Sequence, residues 1–301
     1  MAVPFTPLPG GLVTPIEPVS ARVARARVSL PPAARQASYA IAFGRIDAAV
    51  ASSCGSLHHR NEDAHSPAGH AALLFVVADG VGGGAMAETA SRELVTHLHD
   101  ALDAGRPDPA RVRQAMLGAD RAIASRIAQV TAAPGAATVV LCTPANLLAS
   151  KWLIAWVGDC RAYRFSRRDE PRIELLTRDD TFGELGEPPP SGGSADDPAR
   201  MVGNGATAGA NVAIHELGSG ELLVLCSDGL HKHVAPAEWR RVLAQAVPLA
   251  RCCDDLIALA CANGSTDDAT VLIVQRTGFA SARPRWLQAR GPAGDGAEGG
   301  R

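Results

Sequence analysis

Five acidic side chains stand where apolar runs end or tight turns begin, and their types point to one chemistry. Asp79 follows the apolar run 73–77, Asp159 the run 153–157, and Asp228 the run 222–226. Glu62 lies in Arg60-Asn61-Glu62-Asp63-Ala64-His65, and Asp267 in Thr266-Asp267-Asp268-Ala269-Thr270. A carboxylate at the end of a buried strand is costly unless something pairs with it. Carboxylates brought together also raise one another's pKa. A cluster of divalent cations resolves both problems. The candidate donors are all oxygens: Glu62, Asp79, the Gly80 carbonyl, Asp159, Asp228 and Asp267. Such a set favours Mg²⁺ or Mn²⁺ over zinc or copper. Two such ions about 3.5–4 Å apart drop the pKa of a bridging water toward neutrality. The resulting hydroxide attacks a phosphorus in line while the ions neutralise the phosphoryl oxygens.

Each patch also has a plainer reading. A lone Asp-Gly is a common turn. Val157-Gly158-Asp159 can be a cap, and Asp267-Asp268 an exposed acidic pair. What argues against coincidence is the set of patches in one order, each beside a strand or helix pattern. Glycine after Asp79 and Asp228 lets backbone approach a metal closely. The run Gly82-Gly83-Gly84 opens a helix at Ala85, whose first amides favour an anion.

The elements that must position these residues can be read along the chain of 301 residues. Residues 1–36 form a Pro- and Arg-rich leader expected to be flexible, and 276–301 a Gly- and Arg-rich tail expected to be the same. Between them, 37–275 reads as one domain. Strand patterns fall at 38–43, 48–53, 73–78, 138–142, 152–157, 161–165, 172–176, 212–217, 222–226 and 270–275. Ala87, Ala90, Leu94, Leu98 and Leu102 make one helical face, and Val112, Met116, Ala119, Ile123, Ile127 and Val130 another. Two more helices are expected near 236–247 and 250–261. Residues 179–211 read as a long loop rich in Gly, Pro, Ser and Asp, and a loop of that length in a compact domain is usually functional. Strands, helices, many strands, helices and a strand make an α+β order rather than alternating βαβ.

Composition narrows the function classes. Hydrophobic residues make up 47 % and charged ones 20 %, as in an ordinary globular protein. A net charge of -2 and 4 % aromatics point away from nucleic acid and from an acidic membrane surface. No apolar stretch approaches the ~20 residues of a membrane span, and the start lacks the pattern of a secretory signal. Seven cysteines without a C-x-x-C pair read as free thiols in a reducing cytosol, so a cytoplasmic location is expected.

Six patches together carry a family resemblance: R-N-E-D-A-H from Arg60, V-A-D-G-V-G-G from Val77, W-V-G-D-C-R-A-Y from Trp156, T-R-D-D from Thr177, L-C-S-D-G-L from Leu225 and T-D-D-A-T from Thr266. Over 38–275 the chain resembles the metal-dependent Ser/Thr protein phosphatases, protein phosphatase type 2C, in their bacterial form. The resemblance implies two packed antiparallel β-sheets flanked by helices, a four-layer α-β-β-α sandwich, with metals in a cleft at one end. It implies hydrolysis of phosphoserine and phosphothreonine by a metal-bound hydroxide, with two core Mn²⁺ or Mg²⁺ ions and room for a third. Asp79 is similar to the carboxylate bridging both core ions. Glu62 and the Gly80 carbonyl resemble ligands of one ion, and Asp228 and Asp267 ligands of the other. Asp159, with Asp228, resembles the weaker third site, and Asp63 the acid that orients bound water. Residues 179–211 take the place of the flap that helps select substrate. The partners implied are phosphorylated proteins and a cognate Ser/Thr kinase, with the chain acting as a monomer.

Four positions depart from the family's pattern. His58 stands where a phosphate-gripping arginine is usual, leaving the grip to His58 or His59, or to neighbouring Arg60. Asp180 stands where histidine is frequent, at the flap entry. Asp268 replaces the usual asparagine, either strengthening the metal site or serving as a turn residue. Val81 replaces the histidine that some eukaryotic members use as general acid. The rival reading built on His58 is a weakly active or inactive phosphatase-like module that binds phosphoproteins. A narrower one is a regulatory phosphatase acting on an anti-sigma-factor antagonist.

Overall fold

The computed structural model describes residues 35–278 apart from 68, 83–84, 132–134, 168–169, 206 and 208. Most of the expected leader and tail therefore lies outside the described residues. Strands β1 (Gln36–Ile41), β2 (Gly44–Ser53), β7 (Arg161–Ser166), β8 (Arg172–Leu175), β10 (Leu222–Cys226) and β11 (Ala269–Gly278) form one sheet, in the order β1-β2-β11-β10-β7-β8. Strands β3 (Asp63–His65), β4 (Phe75–Val81), β5 (Ala136–Pro144), β6 (Lys151–Val157) and β9 (Asn211–Glu216) form the other, in the order β3-β4-β5-β6-β9. Every pairing is antiparallel.

The central strands are apolar on both faces because both faces are covered. All nine residues of β5 are buried. Its Val139 and Leu141 pack among the helices α1 (Ala85–Leu102) and α2 (Pro109–Ala128), while Val140 and Cys142 face the other sheet. β10 mirrors it: Leu223 and Leu225 point between the sheets, and Leu222 and Val224 meet α5 (Pro236–Leu243) and α6 (Leu249–Ala262). The result is the expected four layers: helices, sheet, sheet, helices. Each aliphatic side chain so withdrawn contributes roughly 1.5–3 kcal/mol.

The helix faces follow the apolar spacing. Ala87, Ala90, Leu94, Leu98 and Leu102 are all buried along α1. In α2, Asp108 caps the start by accepting from Arg111 N at 2.8 Å, with Pro109 in the first turn. Val130, which the periodicity assigns to this face, lies beyond the helix end and is exposed. Cys142, Cys160 and Cys226 are buried free thiols, whereas Cys261 is exposed. Among the described residues no helix is long and apolar enough to cross a membrane.

Candidate metal centre

Four strand ends and two turns meet at one end of the sandwich. β3 and β4 pair in a register that sets Asp63 opposite Asp79, and Gly80 N donates to the Glu62 carbonyl at 3.2 Å. A Cβ on Gly80 would lie 2.4 Å from the Ala87 carbonyl oxygen, so only glycine lets β4 run under the start of α1. β6 ends at Val157, and Gly158 turns the chain at φ +94, a left-handed conformation that glycine adopts without strain, into Asp159. β10 ends at Cys226, and Asp228 opens the one-turn helix α4 (Asp228–His231). A Cβ on Gly229 would come within 2.0 Å of the Asp268 carbonyl oxygen, so this turn and the start of β11 touch backbone to backbone.

Glu62, Asp79, Gly80, Asp159, Asp228 and Asp267 consequently line one cleft of about 260 Å³. His58, Val81, Gly82, Lys232 and the loop residues Asp196, Asp197 and Pro198 complete its walls. Asp63 sits beneath, fixed by a 2.7 Å hydrogen bond from Ser227 Oγ. The same hydroxyl accepts from Thr270 N at 2.9 Å, so one side chain ties β3 of one sheet to β11 of the other.

The charge of this cluster is out of balance. Burial, reinforced by Asp228, Asp63, Asp159 and Asp267, pushes the Asp79 carboxyl well above the usual range. Burial likewise raises Asp63 to about 7, against the hydrogen bonds from Thr270 and Ser227. Asp159 rises to about 7 through burial and the charge of Asp228, with Lys232 opposing. For Asp228 burial also favours the proton, but the Lys232 ammonium outweighs it and leaves the carboxyl below its ordinary value. Two buried oxygens, Asp63 Oδ1 and Asp228 Oδ1, have no hydrogen-bond partner among the described residues. An all-oxygen cage whose acids resist ionising together, with orphaned acceptors, fits hard divalent cations and bound water.

Two site residues behave differently from the rest. Arg60 does not line the cleft; its guanidinium pairs with Glu88 at 3.2 Å and its side chain is 73 % exposed. His58 does line the cleft, and its Nδ1 lies 2.9 Å from Asp268 Oδ2. That contact, working against burial, raises the imidazole pKa. Asp268 is buried and also accepts from Gly55 N and Glu62 N, each at 2.7 Å. It is therefore not a free turn residue. It clamps the 55–62 loop that carries His58 and Glu62. His58, Asp267 and Asp268 bring three donor atoms within 4.8 Å of one another.

Asp180 has a parallel role at the loop 179–211. It accepts from Gly158 N at 3.1 Å and from the Asn211 amide at 2.9 Å, and its own N–H donates to the Gly158 carbonyl at 2.9 Å. Arg161 grips the neighbouring Asp179 through two guanidinium nitrogens, at 3.0 and 2.7 Å. Thr181 pairs with Pro198, and Ala199 N donates to the Asp180 carbonyl at 2.7 Å. The loop is rooted at both ends beside Asp159. Lys232, Ser227 and the clamp function of Asp268 escape the motif reading. The i, i+4 spacing from Asp228 to Lys232 was the one sequence signal for the first of them.

Residues 69–277 match the family model described as Stage II sporulation protein E (SpoIIE). No curated protein matches the sequence. Among solved structures, the Mycobacterium tuberculosis serine/threonine phosphatase PstP/Ppp is similar at TM-score 0.66 and 26% identity, over 77% of this chain and 99% of that one. PppA of Pseudomonas aeruginosa, described as a key regulatory component of T6SS, is similar at TM-score 0.65 and 26% identity, over 80% and 100%. The catalytic domain of PstP in complex with 2 manganese ions aligns at TM-score 0.64 and 25% identity, over 77% and 98%.

Proposed function

Because the chain belongs to the SpoIIE-type, PP2C-like family of bacterial metal-dependent Ser/Thr phosphatases, we propose that it hydrolyses phosphoserine and phosphothreonine on proteins, using divalent cations held in the carboxylate cleft. The observation that carries this reading is the convergence of Glu62, Asp79, Asp228 and Asp267 on one cleft, where Asp228 Oδ1 is buried without a partner. Asp79, Glu62 and the Gly80 carbonyl would hold one ion, and Asp228 and Asp267, together with Asp79, the other. Mn²⁺ is the expected ion, given the manganese in the PstP structure, with Mg²⁺ as substitute. Bound there, the ions supply a water of near-neutral pKa and neutralise charge on the phosphoryl oxygens.

The chain's own residues do the remaining work. Asp63, held at Oδ2 by Ser227, offers Oδ1 to orient the attacking water. His58, anchored through Nδ1 to Asp268, keeps Nε2 for a phosphoryl oxygen or the departing seryl oxygen. Arg60, paired with Glu88 outside the cleft, is left a minor part in the phosphate grip. The loop 179–211 covers the cleft with Asp196 to Pro198 and meets the peptide around the phosphate. The partners are phosphoproteins of a bacterial signalling or secretion-control circuit and the kinase that modifies them, with the chain acting as a monomer in the cytoplasm. The alternative of a binding module without turnover draws on His58 alone. A domain that only binds would gain stability by discarding the clustered acids, which it keeps.

The test is hydrolysis of a chromogenic phosphate monoester and of phosphopeptides with Mn²⁺, Mg²⁺ or chelator, by the native chain, Asp79→Asn and Asp228→Asn. Turnover should require the metal and fall by about a hundredfold or more in each variant. Robust turnover in chelator, or in either variant, excludes the mechanism. No turnover on any phosphopeptide promotes the binding module.

A further inference from the structure

Asp159 and Asp228 face each other across the position where a third, weaker cation is expected, and the chain already supplies a cation between them. Lys232 Nζ lies 2.7 Å from Asp228 Oδ2 and 3.5 Å from Asp159 Oδ2. Both acids are withdrawn from solvent, while the lysine side chain that bridges them is 41 % exposed. The Asp159 side chain is 3 % exposed and that of Asp228 15 %. The lysine lines the same cleft as the metal-site carboxylates.

The backbone holds it in place. Lys232 caps α4 and its N–H donates to the Asp228 carbonyl at 3.0 Å, so the i, i+4 spacing stacks the ammonium over the carboxylate. His231, one residue before, is close to the Asp159 carbonyl oxygen, with Nε2 at 3.0 Å. Leu230 is fully buried against the core. The stem thus starts from a fixed turn that reaches both acids.

We propose that Lys232 is a tethered cation that takes the place of a third metal ion between Asp159 and Asp228, so that this chain works with two ions rather than three. The inference rests on the two-ion reading of the same cleft and specifies how many ions that cleft takes. Asp228 divides its two oxygens: Oδ2 holds the ammonium, while Oδ1, buried and unpartnered, remains for a core ion. A divalent ion entering between the two acids has to displace the ammonium or sit beside it. Like charges at such distances repel, and the two acids beside them are buried. The ammonium has three donors and the two carboxylates engage two, which leaves one for an anionic group. A covalently attached charge also cannot be diluted away, so this part of the site is complete whatever the metal concentration.

The test counts ions rather than turnover. The full chain, native and as Lys232→Ala and Lys232→Gln, is brought to equilibrium dialysis against millimolar Mn²⁺ and its bound manganese is measured at that free concentration, with calorimetric titration alongside. The native protein should hold two ions per chain and both variants three. Adding Asp159→Asn to Lys232→Ala should return the count to two. Circular dichroism checks that each variant is folded, and Lys232→Gln keeps a polar side chain where the alanine leaves space. Three ions in the native protein, or two in both single variants, overturns the inference while leaving the phosphatase reading intact. A native protein that binds no manganese removes both.

Discussion

The two ends of the sandwich are built from the same strands and obey opposite rules. At one end, just before β4 and at the end of β5, lies a groove of about 350 Å³ bordered by Ile41, Leu73, Leu74, Leu102 and Leu147 together with Asp103, Arg106, Thr143 and Asn146. At the other end β4 finishes in Asp79 and β6 runs into Asp159, both lining the acidic cleft. Within β4 the change takes one step: Phe75 to Ala78 are fully packed, and Asp79 opens to the cleft. The apolar end stabilises the fold by withdrawing surface from water. The acidic end opposes folding until cations arrive, since its carboxyls resist ionising where they are. Stability and chemistry are thus segregated along the strand direction rather than between layers.

Leu74→Ala should break the apolar end most severely. Leu74 is 2 % exposed and packs against the α1–α2 layer, so the change should cost about 2–5 kcal/mol in denaturant unfolding. Manganese affinity should stay unchanged; a parallel loss of affinity would mean the two ends are not independent. Acidity probes the other end. Asp63 and Asp159 titrate at about 7 and Asp79 well above its ordinary value, whereas in the unfolded chain these groups ionise near about 4. Between those limits the folded, chelated protein keeps protons that the unfolded chain has released. Stability in chelator should therefore fall as pH rises from about 5 to 8, by up to about 1.4 kcal/mol per pH unit for each group concerned. Asp228, whose folded pKa is lowered, adds the opposite slope only in more acid solution. Saturating Mn²⁺ should cancel the fall. A melting temperature in chelator that is flat or rises over this range would contradict the charge crowding.

Asp79→Asn sharpens the contrast with a change of sign. It should stabilise the metal-free protein by about 0.5–2 kcal/mol while abolishing turnover, the reverse of what Leu74→Ala does. A destabilised Asp79→Asn would show that the carboxylate supports the fold. The smallest expected effect is a coupling. His58 and Asp268, two departures from the family pattern, touch in the structure. A double-mutant cycle of His58→Arg and Asp268→Asn, read in KM for a phosphopeptide, should give an interaction of about 0.5–1 kcal/mol. Strict additivity would mean that the pair contacts without consequence.

Most of the architecture was legible because it depends on local periodicity. The buried faces of α1 and α2 stand at the spacing that Ala87 to Leu102 and Val112 to Ile127 display, and the central strands are buried along their length as their continuous apolar runs require. The cleft acids were legible for another reason: a carboxylate after an apolar run is expensive, so its position already implies a use. What the chain order conceals is contact across long separations. Asp268 meets Gly55 and Glu62 from 213 and 206 positions away, and no spacing rule links them. Ser227 looks like any serine at a turn until Asp63 and Thr270 are seen to share its hydroxyl. α3 (Phe182–Leu185) is one turn long, too short to show a period within the loop 179–211. Lys232 belongs to none of the patches, and a lone lysine after a helical turn ordinarily faces water.

The rooting of that loop has a consequence for how such a molecule diversifies. Its departure and return are pinned side by side by Asp179, Asp180, Thr181 and Pro198. Residues 182–197 form an excursion through a single doorway, next to Asp159 but not holding it. Such an excursion can be lengthened, shortened or rewritten without loosening the jamb. Recognition of new target proteins can therefore drift there while the acids behind the door keep their positions.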